Sequence, residues 1–219
     1  MKLNEDLAYL VGALRDGSVY YYAKNRSYYT IFYQKNIQWL KNSIGERIKK
    51  LFGINFRIDE YKTGQYRLRI SNKHLYELWK TVFLFPKETT TQVNWNIPEK
   101  IIKSKKKEKT AYIRGFFDAE GDVSPTNSTT KYIGLSQKNI VALTKLRELI
   151  EELGLKCSKI YLADKRSNTF RVTIIGKQQI HKFYRVVGVE HPVKLKKIEE
   201  IIFNEIEKGS NLSTIKKDK

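Results

Sequence analysis

Apolar and polar positions change period in the same order twice along the chain. Residues 7–16 carry a nearly continuous apolar stretch that predicts a helix ending in Asp16-Gly17. Residues 18–34 alternate as a hairpin that turns at Lys24-Asn25-Arg26-Ser27 and closes on Gln34-Lys35-Asn36-Ile37. Trp39, Leu40, Ile44, Ile48 and Leu51 then recur at helical spacing up to Gly53, which fits a helix C-cap. An extended pair follows, residues 56–61 and 66–71 about Lys62-Thr63-Gly64, and a helix over 73–83 closes the unit.

The second pass repeats each step. A helix over 110–120 ends in Glu120-Gly121, and a hairpin over 123–137 turns at Pro125-Thr126-Asn127-Ser128. It closes on Gln137-Lys138-Asn139-Ile140, and Leu143, Leu146, Leu149, Ile150 and Leu153 lead to Gly154. Strands over 159–162 and 170–175 flank a turn at 165–168, and a helix spans 177–186. Asp16 and Glu120 are 104 residues apart, as are Tyr66 and Phe170 in the closing strands. This predicts an α+β fold of two pseudo-symmetric αββαββα repeats with antiparallel sheets. The expected division is a first repeat over 1–85, an exposed Lys- and Pro-bearing linker over 86–109, a second repeat over 110–205, and a polar tail over 206–219.

Charge narrows the function. Lys and Arg total 42 against 23 acids, for a net charge of +19. So large an excess repels itself unless a polyanion is the normal partner, and nucleic acid comes before an anionic membrane surface. A single cysteine, Cys157, excludes an internal disulfide and a Cys-based zinc site, and fits a small core residue. The opening residues lack a secretory apolar run, and no stretch approaches the roughly 18 apolar residues of a membrane span. The expectation is an intracellular protein, in the cytoplasm or nucleoid of a prokaryote or in an organelle, and not a secreted one.

The stretch 113–121, Ile-Arg-Gly-Phe-Phe-Asp-Ala-Glu-Gly, closely resembles the LAGLIDADG signature, with Gly115 at the motif glycine, Ala119 at its second small site and Glu120 at the acid. Residues 7–17, Leu-Ala-Tyr-Leu-Val-Gly-Ala-Leu-Arg-Asp-Gly, resemble it with one residue fewer between Gly12 and Asp16. Either the first helix is shortened there or Val11 takes the glycine place. The resemblance covers about residues 7–203. It implies a homing endonuclease fold in which paired motif helices carry a saddle-shaped β-sheet platform over double-stranded DNA. It also implies cleavage of both strands with short 3′ overhangs.

Phosphodiester hydrolysis needs an attacking water, a stabilised leaving oxygen and neutralised charge, all of which Mg²⁺ or a similar ion such as Mn²⁺ can supply. Asp16 and Glu120 are the expected metal ligands. Each ends a helix, where a carboxylate is unfavourable without a cation. Asp118 and Asp122 are not expected to be direct ligands. The resemblance implies that Gln34 and Gln137 orient water; Lys35 and Lys138 could stabilise phosphate charge. Asn36 and Asn139 fit helix N-caps. The DNA-contacting candidates are Lys24, Arg26, Arg67, Arg69, Lys131, Arg171 and Thr173. His74, His181 and His191 are read as structural. Together these point to a monomer cutting a long asymmetric DNA site; the alternatives are an intron RNA maturase or a catalytically silent DNA-binding regulator.

Overall fold

The computed structural model describes residues 2–86 and 91–203. Its order is α1 (Glu5–Ala13), β1 (Gly17–Tyr22), β2 (Ser27–Gln34), α2 (37–52), β3 (Arg57–Lys62), β4 (Gln65–Ser71) and α3 (73–82). Two short helices, α4 (Thr91–Asn94) and α5 (Glu99–Ile102), lead to α6 (Lys106–Glu120). The second repeat continues with β5 (Asp122–Val123), β6 (Tyr132–Gln137), α7 (Ile140–Glu152), β7 (Tyr161–Asp164), β8 (Thr169–Ile175) and α8 (Lys177–Val186). A final helix, α9 (Pro192–Phe203), follows α8 and has no counterpart at the end of α3 among the described residues.

Each repeat builds a four-stranded antiparallel sheet in matching order, β1-β2-β4-β3 and β5-β6-β8-β7. The period of two sends Leu68 and Ile70, like Val172 and Ile174, into the core and leaves Arg67, Arg69 and Arg171 on the opposite face. The Asn side chains at 36 and 139 cap α2 and α7 through backbone N–H groups, as their positions predict. Gly53 and Gly154 end those helices at φ +64° and +80°, where a side chain would be strained. Helix α2 contains a π turn over Leu40–Gly45, and α3 ends in another over Leu78–Val82.

Two expectations change. Of the stretch expected as an exposed linker over 86–109, the described residues 91–109 do not form one: Trp95, Ile97 and Ile101 are buried, and the lysine run already belongs to α6 from Lys106. The apolar side chains between the lysines supply enough buried surface to fold this stretch onto the core. The second hairpin is also much shorter than 123–137. Only Asp122 and Val123 pair with β6, and Ser124 N–H adds one bond to Tyr132. Pro125 has no N–H to extend the ladder. Residues 87–90 and the polar tail over 206–219 lie outside the described residues.

Candidate active site and nucleic-acid interface

Helices α1 and α6 pack backbone to backbone at the centre of the molecule. A Cβ on Gly12 would stand 2.1 Å from the Tyr112 carbonyl oxygen, and one on Gly115 would stand 2.1 Å from that of Tyr9. Gly12, not Val11, therefore takes the glycine place in the first motif. The missing residue is absorbed beyond it. Helix α1 tightens into a 3-10 turn over Leu14–Asp16, whereas α6 stays α-helical to Glu120. At about 1.5 Å per α residue and about 2.0 Å per 3-10 residue, both paths climb roughly 7.5 Å from glycine to acid. The two carboxylates thus reach the same level from different numbers of residues.

Both acids are half-buried at the negative ends of their helices. Burial, reinforced by the charge of Glu120, pushes the Asp16 carboxyl up to about 8, against the pull of Lys194. Burial also raises Glu120, while Arg15 and Lys194 pull it down. Glu120 Oε1 is buried with no hydrogen-bond partner. An orphaned oxygen beside a second carboxylate is what a divalent cation would satisfy. No cluster of three or more Asp, Glu, His or Cys occurs among the described residues. Two protein oxygens plus water and phosphate oxygens suit Mg²⁺, which keeps much of its hydration.

The predicted glutamines sit differently. Gln34 lies beside the second motif, its Nε2 donating to the Ala119 carbonyl at 3.4 Å while its Oε1 accepts from Lys35 N–H. With Lys35 it lines a cavity of about 400 Å³, shared with Gly121, Asp122, Lys194 and Lys197. Gln137 is buried, and its Oε1 accepts from Arg15 Nε at 2.7 Å and from Nη2 of the same guanidinium. Arg15 also donates to the Trp95 carbonyl. Lys138 acts electrostatically on Asp164 at the end of β7.

Two cations near the acids were not singled out from sequence. Arg15 had a signal, a charged residue inside an apolar helix next to an acid. Lys194 had none: it lies on α9, beyond the matched αββαββα elements, and donates to the Phe117 and Asp118 carbonyls at 2.7 Å each. Burial lowers its ammonium to about 8, opposed by Asp118, Glu120, Asp16 and Asp122.

Asp118 proves to be a structural hub. It accepts from Tyr9 Oη at 2.7 Å and from the backbone N–H groups of Glu190 and His191. Trp39 Nε1 in turn donates to Tyr9 Oη at 2.8 Å. Glu190 accepts two bonds from Arg47, at 2.8 and 2.7 Å, and meets Arg114 at 3.4 Å. The segment leading into α9 is thereby fastened to both repeats. Asp122 instead pairs with Arg171 at 2.6 Å.

The outer sheet faces differ in chemistry. In the first repeat, Tyr20, Tyr29, Tyr33 and Tyr61 interleave with Arg67 and Arg69. Asp59 holds the Arg67 guanidinium at 2.7 Å. In the second, Arg171 lies over the Tyr132 ring at 5.2 Å and opposite Tyr161 on β7, beside Gly134 and Ser136, and Thr173 is buried at 6% exposure. Lys24 and Arg26 are exposed at the β1–β2 turn, where Arg26 takes a left-handed φ of 52°. Lys131 bonds the carbonyls of Thr126 and Ser128, bracing the second turn.

Paired helices ending in opposed acids beneath two matching sheets define one class. The chain belongs to the LAGLIDADG homing endonuclease family. It is 34% identical over 210 residues to homing endonuclease I-ApeI of Aeropyrum pernix, covering 95% of this chain and 92% of that one. The LAGLIDADG-like domain family matches residues 107–188. The fold is similar to that of I-DmoI in complex with DNA and Ca, with a TM-score of 0.66 at 22% identity, over 89% of this chain and 97% of that one. No described helix is long and apolar enough to cross a membrane.

Proposed function

We propose that this protein is a monomeric, Mg²⁺-dependent endonuclease that cuts both strands of a long asymmetric DNA site and leaves short 3′ overhangs. The convergence of Asp16 and Glu120 at the buried ends of two closely packed helices carries this reading. I-ApeI is a homing endonuclease, and I-DmoI has been crystallised with its target DNA and with Mn or Mg. Asp16 and Glu120 would hold the cations. A bound divalent ion supplies water activation and charge neutralisation at the phosphate.

The remaining chemistry belongs to the chain's own groups. Gln34, beside the Ala119 carbonyl and the cavity, orients water on the Glu120 side. Lys35 faces the same cavity and offers positive charge to phosphate. Arg15 fixes Gln137 and keeps it from rotating. Arg67, held by Asp59 and stacked on Tyr61, presents a preset fork to a base edge, whereas Lys24 and Arg26 extend toward the backbone. The first face sets Arg67 and Arg69 among Tyr20, Tyr29, Tyr33 and Tyr61, whereas the second sets Arg171 among Tyr132, Tyr161, Gly134 and Ser136, a difference that implies unequal half-sites.

Cleavage selection tests the proposal. A randomised duplex library is incubated with protein and Mg²⁺, and in parallel with EDTA. Metal-dependent double-strand breaks at one site with short 3′ overhangs are expected. Tight, salt-sensitive binding without cutting in any divalent metal would reject it in favour of a DNA- or RNA-binding role.

A further inference from the structure

The two repeats differ at the position just before the motif acid, which is Ala119 in one and Arg15 in the other. In each case the glutamine of the opposite repeat meets that residue. Gln34 donates to the Ala119 carbonyl, and Gln137 accepts from the Arg15 guanidinium. Beside the small Ala119, Gln34 is half-buried and lines the cavity of about 400 Å³. Beside Arg15, Gln137 is only 4% exposed. A methyl group in one motif and a guanidinium in the other thus decide whether the glutamine faces open space.

The amide oxygens are engaged differently as well. Each has two lone pairs. Gln34 Oε1 accepts from Lys35 N–H at 2.8 Å, which leaves one lone pair for a water in the cavity. Gln137 Oε1 accepts from Arg15 Nε at 2.7 Å and from Nη2 of the same guanidinium, which occupies both. Such a charge-assisted, two-point contact fixes the orientation of both groups. Arg15 is clamped in turn. Its Nη1 donates to the Trp95 carbonyl at 3.4 Å, and its guanidinium lies over the Trp95 ring at 5.3 Å. Asn139 Nδ2 donates to the same carbonyl at 3.3 Å. With Arg15 2% exposed, the guanidinium cannot turn away without leaving buried polar groups unpaired.

Resting on the endonuclease reading, we propose that Arg15 is a positioning residue that withholds Gln137 from the attacking water, so that the strand on the Gln34 side is cut first and the substrate passes through a nicked duplex. On either strand the water oxygen bonds to phosphorus as the bond to the leaving oxygen breaks. That oxygen takes the electron pair, and the proton the water loses ends on it. Gln34 Oε1 accepts the hydrogen the water keeps and so aims the water at phosphorus. Gln137 Oε1 has no lone pair left for this, and the second cut proceeds without that aid.

The test uses full-length protein and a supercoiled plasmid carrying the selected site, with the nicked strand read by primer extension. Wild type should accumulate nicked circle, one strand being cut about tenfold to 10²-fold faster, the scale of a mispositioned reactant. Gln34→Leu should slow that faster strand, which marks it as the Gln34 side. Arg15→Met keeps the bulk but frees Gln137; it should speed the slower strand and bring the two rates to within about threefold. Adding Gln137→Leu should restore the wild-type ratio. Arg15→Lys, which reaches Oε1 through a single N–H, should give an intermediate ratio and serves if the Met variant fails to fold. In the metal-free protein, the Arg15 Nε–H resonance should be protected from solvent exchange. A merely structural tie between the repeats would slow both strands alike and leave their ratio unchanged. Equal strand rates in wild type, an unchanged ratio in folded Arg15→Met, slowing of the other strand by Gln34→Leu, or fast exchange at Arg15 Nε would overturn the role. Absence of any cleavage by the wild-type protein would instead sink the endonuclease reading and this role with it.

Discussion

The carbonyl oxygen of Tyr112 lies 2.1 Å from where a Cβ on Gly12 would stand. That atom belongs to the opposing helix backbone and cannot swing aside. Gly12→Ala must therefore push α1 and α6 apart. Overpacking usually costs about 1–3 kcal/mol, and a backbone clash falls at or above the upper end. Thermal unfolding should show that loss, and Gly115→Ala should show the same. Cleavage should fall more than DNA affinity, since the acids separate while the sheets persist.

Asp16→Asn and Glu120→Gln should each retain binding to the target duplex in a mobility-shift assay. Each should abolish double-strand cleavage, lowering the rate by at least about 10³, because a neutral amide is a poor ligand for a hard cation. Cutting at the wild-type rate by either variant would refute its assignment as a metal ligand.

Metal binding should depend on pH. With the Asp16 carboxyl raised to about 8, the metal-free protein holds a proton there at neutral pH that a cation must displace. Apparent Mn²⁺ affinity should rise by up to about tenfold per pH unit below 8 and level off above it. Titration followed by the electron paramagnetic resonance signal of free Mn²⁺ would show this. A flat profile from pH 6 to 9 would mean that Asp16 is already ionised.

Tyr9→Phe removes one hydroxyl, which strands one buried group and takes one of several donors from another. Trp39 Nε1 loses its acceptor and Asp118 loses a donor. Each unsatisfied buried group costs about 1–3 kcal/mol, so denaturant unfolding should show at least the lower figure. An unchanged midpoint would show that neither bond matters in solution.

On the DNA face, Arg67→Ala should cost about 1–3 kcal/mol and relax selectivity at one base pair. Lys24→Ala should weaken all sequences alike and reduce the salt slope by about one. Binding-site selection on each variant separates the two. Matching profiles would show that Arg67 contacts phosphate.

Much of this arrangement was legible in the chain because it is written locally. The Asn caps at 36 and 139, the glycines after α2 and α7 and the alternation in β4 and β8 depend on neighbours within a few residues. The repeat spacing then brings Asp16 and Glu120 to matching places. The one-residue deficit before Asp16 was countable, but the 3-10 turn that absorbs it depends on the packing of α6. Lys194 was not legible, because its meaning comes from carbonyls far back in the chain. Gln137 looked equivalent to Gln34, yet Arg15 from the opposite repeat claims it. The residues preceding α6 read as a linker because lysines outnumber Trp95, Ile97 and Ile101, although those three decide where it goes.

The contacts that cross between the repeats restrict how such a protein can be recombined. Arg15 with Gln137, Tyr9 with Asp118 and Arg47 with Glu190 each join one residue from either half. A chimaera that borrows one half from a relative inherits one member of each couple. Grafted without the matching partner, Arg15 and Asp118 would become buried charges facing strangers. Exchange of DNA specificity by swapping halves should therefore succeed only when all three couples travel together, so the unit of inheritance is the seam rather than the repeat.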